Sequence, residues 1–455
     1  MESVYPQSYW PGDDTGGHLE FALKYDGVNL GILAAVFEAV AADEIAAWIS
    51  SKPTGKNARR VWFLYEFLTG RALPLPDLSK GNYLELLEPE RYYTARPGRR
   101  VQRQRIIDNL LGDRFFCPII RRTDKLAAME SIDLRQRCEE IITAYPPALL
   151  RRALRYLHTK EAKSSFEIEH LKPSASRTEK FIGLLEMAEH QDFCEKPLLI
   201  DLQNRIVDPR FRDRDYRTSQ NYVGQAISYQ NRLVHYVCPK PEDLPELMGG
   251  LLTTHQRMQE AAVPAIIHAA CISYGFVFMH PFEDGNGRIH RFLIHNILCL
   301  RGAIPKGLMF PVSAAMLKKP ALYGHSLEAF SSPLMRLVEY DLDDLGQMTV
   351  LGKTASLYRY IDMTTQAEAL CDFIELTVEQ ELVEELDFLL NYDKTKQAIQ
   401  EIVDMPDRLI DRFIQLCLQN NGGLSTRKRE SHFGFLTDDE LARMENAVRE
   451  GYAKT

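Results

Sequence analysis

Apolar residues recur at helical spacing along most of this chain, and strand-like alternation is scarce. Leu33, Val36, Phe37, Val40, Ile45 and Ile49 predict one helix from Leu30 to Ile49. Val61, Trp62, Leu64, Tyr65 and Leu68 predict a second from Asn57 to Leu68. Residues 70–120 lose the period and carry Pro74, Pro76, Pro89, Pro97 and Pro118. The helical spacing returns over 131–170, first through Leu134, Cys138, Ile141 and Ile142, then through Leu149, Leu150, Leu154 and Leu157. Ser176 to Glu189 and Lys196 to Ile206 continue it. Between 222 and 237, aromatic and β-branched residues flank Gln230-Asn231, which predicts a short hairpin with a polar turn. Helices then run to about Gln259, over Ala265 to Phe276, after the glycines at 285 and 287, and through 365–390. Asn420-Asn421-Gly422-Gly423 stops a helix that starts at Asp407, and Thr437-Asp438-Asp439-Glu440 reads as a capping box for the last one. The expected fold class is mainly α with one small β-hairpin. The expected units are 1–130, a helical region at 131–210, a core at 211–365 and a C-terminal helical module at 366–455.

Composition narrows the class without naming a chemistry. The chain has 455 residues, 45% hydrophobic and 26% charged, with a net charge of −8. That suits a globular protein and argues against general nucleic-acid binding, which favours a basic surface. The basic run Arg96 to Arg105 is the exception, and it reads as a solvated loop. No apolar run reaches membrane-spanning length, and the N-terminus lacks the basic-then-apolar order of a signal peptide. The eight cysteines are scattered with no C-x-x-C pair, so they read as reduced thiols of a cytoplasmic protein and not as a disulfide frame or a zinc site. His268 reads as a packed core histidine.

The chemistry concentrates in His280-Pro-Phe-Glu-Asp284-Gly285-Asn286-Gly287-Arg288-Ile-His-Arg291. Gly285 and Gly287 permit a tight turn whose successive N–H groups form an anion nest, and the turn opens a helix whose first N–H groups are unpaired. Arg288 and Arg291 lie three apart on the first turn, which suits a polyphosphate. Asp284 offers a hard oxygen to Mg²⁺. His280, expected in an extended conformation before Pro281, can serve as a general base. A base, a metal carboxylate, a nest and two arginines together suit transfer of a group from a nucleotide to a hydroxyl.

This stretch resembles the core motif of the Fic family, H-P-F-x-[DE]-G-N-G-R-x-x-R, and meets all nine of its fixed positions. The resemblance implies a Fic-type helical core and a protein adenylyltransferase: AMP passes from ATP, with Mg²⁺, to a Ser, Thr or Tyr hydroxyl of a protein target. His280 is then the base, Asp284 the metal residue, and Gly285, Asn286, Gly287, Arg288 and Arg291 the phosphate site. Ser165-x-x-x-Glu169 resembles the family's inhibitory motif [ST]-x-x-x-E-[GN], in which the glutamate holds the second motif arginine, here Arg291. His170 departs from the Gly or Asn at the last position, which puts the helix end in question. The hairpin resembles the family's target-docking flap, with Val223 and Val234 as its apolar clamps. Tyr323 is the expected nucleotide-stacking residue. The resemblance also leaves open removal of AMP from the target, a homodimer, and a C-terminal module of winged-helix or dimerisation type, the one place left for nucleic acid. Competing readings are another donor (UMP, phosphate or phosphocholine), a toxin paired with an antitoxin, or a non-catalytic regulator.

Overall fold

The computed structural model describes residues 4–227 and 232–452. The described residues are mainly α-helical, as the apolar period predicts, with three small sheets among them. The buried apolar residues among them form three cores. One lies in the first 120 residues, a large one spans Tyr93 to Leu386, and a small one spans Ile399 to Val448.

In the N-terminal part the single helix expected over 30–49 is two, Leu30–Ala39 and Ala42–Ser51. Val40 turns extended and ends the first, and Asp43 and Glu44 in the opening turn of the second favour a new start there. The basic run is not a solvated loop. Arg99–Val101 is a strand pairing antiparallel with Ile106–Asp108. Arg103 bonds Glu66 and Asp77 and lies over the Trp62 ring, while Arg105 donates to the carbonyls of Leu78 and Ser79. Arg103 and Arg105 are thus engaged by the fold, while Arg96, Arg99 and Arg100 stay exposed.

The central core holds the elements that matter for the site. The two helices expected over 131–170 form as Leu134–Thr143 and Pro147–Glu167, and the second runs on through Ser165. Helices Ala265–Met279 and Asn286–Leu300 pack side by side. The first is apolar on every face and buried from Ile267 to Gly275, which suits a helix at the centre of a large domain. The predicted hairpin forms from Tyr222–Ala226 and Arg232–Val237, with a bulge between Val223 and Gly224. Its expected turn at Gln230-Asn231 lies outside the described residues. A second hairpin, Tyr340–Leu342 with Met348–Val350, was not legible in the sequence; its turn meets the first where Tyr222 Oη donates to Gly346 O.

The boundary expected at 366 sits elsewhere in the packing. Helix Thr364–Leu376, the π-turn Thr377–Glu381 and the start of Leu382–Ile402 contribute Ala367, Leu370, Val378 and Leu386 to the central core. The separate C-terminal core begins only at Ile399. The capping box forms at Thr437 and Glu440. Among the described residues after 402 there is no strand, so the module is helical and has no wing.

Candidate active site

His280 closes helix Ala265–Met279 in the left-handed region, with φ 48° and ψ 56°, rather than extended. Its N–H completes the last turn on Phe276 O, and Pro281 has no N–H to continue it. The ring Nδ1 lies 3.1 Å from Val277 O. A carbonyl only accepts, so Nδ1 carries the proton and Nε2 keeps its lone pair. Burial pushes the imidazole down to about 4, with the nearby Arg217 charge acting in the same sense. Near neutral pH the ring is therefore an uncharged acceptor at Nε2.

The turn that follows is braced from inside. Phe282, fully buried, donates its N–H to Asn286 Oδ1 at 3.0 Å and accepts from Asn286 Nδ2 at 2.7 Å. Asn286 thus gives its side chain to the loop and only its backbone N–H to the helix end. Gly285 at φ 91° supplies the left-handed corner.

Arg288 and Arg291 are buried at the first turn, and their guanidiniums converge on one carboxylate. Glu169 Oε1 accepts from Arg291 Nη2 at 2.8 Å, and Glu169 Oε2 lies 2.7 Å from Arg288 Nε. The second is a charge contact whose N–H points off the hydrogen-bond line. A Cβ on Gly287 would sit 2.6 Å from Glu169 Oε1, so the carboxylate rests against the helix N-terminus itself. Ser165 holds the same arginine: its Oγ accepts from Arg291 Nε at 2.9 Å and its carbonyl from Nη2 at 2.6 Å. His170 ends this segment at φ 56°. That left-handed corner is the geometry glycine and asparagine adopt most readily, which accounts for the motif's usual residue there.

Asp284 Oδ1 accepts from Gly285 N–H and from Arg288 Nη2 at 2.8 Å, and the side chain is 44% exposed. One exposed carboxylate oxygen beside a phosphate nest fits a Mg²⁺ that keeps most of its waters and takes the rest of its ligands from phosphates. Tyr323 is half-buried, its ring near-parallel to that of His290 at 6.2 Å, and its hydroxyl is held near Arg291. Val223 is exposed, whereas Val234 is half-buried against the central core; Val223 pairs with Tyr236, and Val234 with Gly224. Between the flap and helix Pro320–Leu334 lies a cleft of 390 Å³ whose wall includes Val223, Tyr236, His280 and Leu327.

Sequence reasoning missed Arg217. Its Nε donates to His280 O at 2.8 Å, Nη1 to Ser219 O at 2.7 Å and Nη2 to Pro239 O at 2.6 Å, and its own N–H donates to Pro281 O at 2.8 Å. One buried guanidinium fixes the backbone under His280. A lone arginine in Tyr216-Arg217-Thr218 carries no signal of this.

A family model described as the Fic/DOC family matches residues 193–298. A protein adenylyltransferase Fic of Aedes aegypti is 30% identical over 122 residues, covering 26% of this chain and 22% of that protein. The protein of that name from Drosophila melanogaster is 27% identical over 177 residues, 38% of this chain and 32% of the relative. The chain therefore matches about a fifth to a third of the length of these curated relatives. A crystal structure of a Fic family protein from Desulfovibrio desulfuricans G20 is 18% identical, with a TM-score of 0.39, over 72% of this chain and 90% of that one.

Proposed function

From a chain that is a Fic family protein through its catalytic motif, we propose a protein adenylyltransferase that holds itself in check. AMP moves from ATP to a Ser, Thr or Tyr hydroxyl of a protein target. The observation that carries this reading is the pairing of a free base with a filled anion site. His280 Nε2 is uncharged and makes no hydrogen bond among the described residues, while Glu169 lies across Arg288 and Arg291 where a polyphosphate would lie.

In the reaction, the target hydroxyl gives its proton to His280 Nε2 and its oxygen attacks the α-phosphorus. A P–O bond forms to the target, the P–O bond to the bridging oxygen breaks, and pyrophosphate leaves. The N–H groups of Asn286 and Gly287 stabilise charge on the phosphoryl oxygens. Arg288 and Arg291 hold the departing phosphates once Glu169 is displaced. Asp284 is the residue that would hold Mg²⁺, and the bound ion would neutralise and align the phosphate oxygens. The flap and the cleft beside it present the target segment by strand addition.

The test is intact-mass spectrometry after incubation with ATP and Mg²⁺. Wild type, Glu169→Gly, and Glu169→Gly with His280→Ala are compared, with self-modification as the readout. Gain of AMP by Glu169→Gly alone supports base, donor and inhibition together. Equal gain by wild type and Glu169→Gly sinks the inhibitory role. No gain by any of the three, with a cell lysate added as target source and UTP, GTP and CDP-choline also tried, sinks the transferase.

A further inference from the structure

The loop joining helices Ala175–Met187 and Lys196–Ile206 meets helix Leu244–Glu260 at a cluster the active site does not use. Asp192 Oδ2 lies 2.9 Å from His255 Nε2. Cys194 Sγ completes a triangle, with all three donor atoms within 4.8 Å of one another. Cys194 and His255 are 3% exposed, whereas the Asp192 side chain keeps 35% of its surface. Behind this triangle, fully buried His268 places Nε2 3.0 Å from His255 Nδ1.

We propose that Asp192, Cys194 and His255 bind a divalent cation of the Zn²⁺ class, with water in the fourth position. Four observations carry this. One thiol, one imidazole and one carboxylate form a donor set suited to Zn²⁺ and poorly suited to Mg²⁺. A thiolate and a carboxylate balance a dipositive ion, so the loaded site is neutral where two of its three ligands are buried. His255 has its far nitrogen held by His268, the outer contact that fixes ring orientation in metal-ligating histidines. The exposed side of Asp192 provides both an entry path and room for water. Around a tetrahedral ion the donors would stand about 3.5 Å apart, so the widest pair closes by about 1 Å.

The proton balance is simple. Cysteine ligates as its thiolate, so a thiol that binds the ion must lose its proton. On binding, the thiol proton leaves to solvent, and the imidazole proton sits on Nδ1, facing His268 Nε2. Affinity therefore falls as pH falls.

The ion would act on the active site through packing. Phe193, between two of the ligands, donates its N–H to Asn296 Oδ1 at 3.0 Å and sets its ring edge-on to Phe292 at 4.9 Å. Asn296 donates in turn to Ala188 O and Gln191 O. Both partners lie on helix Asn286–Leu300, whose first turn carries the arginines. A cation here clamps the loop that seats that helix. The absence of a C-x-x-C pair hid the site, because His255 is more than sixty residues from its partners.

The test uses Co²⁺ as probe on the full chain after chelator treatment. Wild type is expected to take one equivalent with a thiolate-to-cobalt charge-transfer band, and Zn²⁺ is expected to displace it. Cys194→Ser loses the band, and Asp192→Asn weakens binding at least about 10-fold. Zn²⁺ raises the melting temperature of wild type and not of Cys194→Ser. If circular dichroism finds Cys194→Ser unfolded, Asp192→Asn decides alone. Absence of the band in wild type, or its survival in Cys194→Ser, or undiminished binding by Asp192→Asn, overturns the proposal. None of these readouts depends on nucleotide transfer.

Discussion

Glu161 and His295 face each other at the centre of the molecule, Oε1 3.0 Å from Nε2, with neither residue exposed to solvent. Glu161 stands one helical turn before Ser165, and His295 one turn after Arg291. Helices Pro147–Glu167 and Asn286–Leu300 are therefore tied at two successive turns in antiparallel sense. Ser313 adds its N–H at 2.8 Å and its Oγ at 2.5 Å to the same carboxylate. The first helix cannot lift away whole without leaving the buried Ser313 N–H and Oγ and His295 in the core without this carboxylate. Displacement of Glu169 then needs movement only of the last turn, from Ser165 to His170.

Glu161→Ala leaves the buried Ser313 N–H and Oγ without their acceptor and should accordingly cost about 2 kcal/mol. Urea unfolding followed by tryptophan fluorescence reads the loss. Full retention of wild-type stability would show the tie to be idle.

Glu169→Gln keeps the shape of the side chain and removes its charge from Arg288 and Arg291. Affinity for ATP should rise on the order of 10-fold, about 1.4 kcal/mol. Calorimetric titration of ATP with Mg²⁺ into wild type and variant checks this, and equal affinities would mean that Glu169 does not compete with the nucleotide.

His170→Gly relieves a left-handed corner on an exposed side chain. It should stabilise the end of the segment that carries Glu169 by about 1 kcal/mol and, on the proposed function, lower basal self-modification. Hydrogen exchange at residues 166–171 should slow in the variant; faster exchange would contradict the corner's assigned role.

The pH dependence follows from imidazoles that bind protons more weakly in the fold than free. His280 falls to about 4 and His290 to about 3, both by burial, and burial drives His268 the same way. Above the ordinary value of 6.5 these groups cost nothing on protonation. As pH falls from 6.5 toward 4 the unfolded chain takes up protons first, so stability is lost across that window. Melting temperature should be flat from pH 7 to 8 and decline steadily below 6.5. The self-modification rate should fall in acid as His280 protonates, at a pH above 4, because bound phosphates favour the imidazolium.

Arg217→Lys keeps the charge and loses the directed fork that grips His280 O, Ser219 O and Pro239 O. The expected split is a lower kcat, by about 10-fold, with the KM for ATP little changed. A raised KM with unchanged kcat would place Arg217 in nucleotide binding instead.

Much of the candidate site was written in consecutive residues. The motif from His280 to Arg291 puts a helix end, a turn and a first helical turn together through local geometry alone, so spacing revealed it. The helices were legible for the same reason, since a 3.6-residue period records which face meets a core. The errors came where local rules allow two outcomes. Val40 could continue a helix or end it, and the residue before Pro281 could be extended or left-handed. Only packing chose, through the close of a helix on Phe276 and the grip of Arg217 on the backbone.

By itself, then, the sequence determined a mainly helical protein with a glycine turn and two arginines at a helix start, and it pointed to Glu169 only through a resemblance. The tertiary structure decided that this glutamate reaches Arg288 as well as Arg291, that Glu161 and His295 tie the two helices again one turn on, and that Asp192, Cys194 and His255 meet. Apart from Asp192 and Cys194, which are neighbours in sequence, those contacts join residues more than sixty positions apart. Periodicity and spacing encode only what lies within a few turns, so contacts made by folding the chain back on itself leave no trace in them.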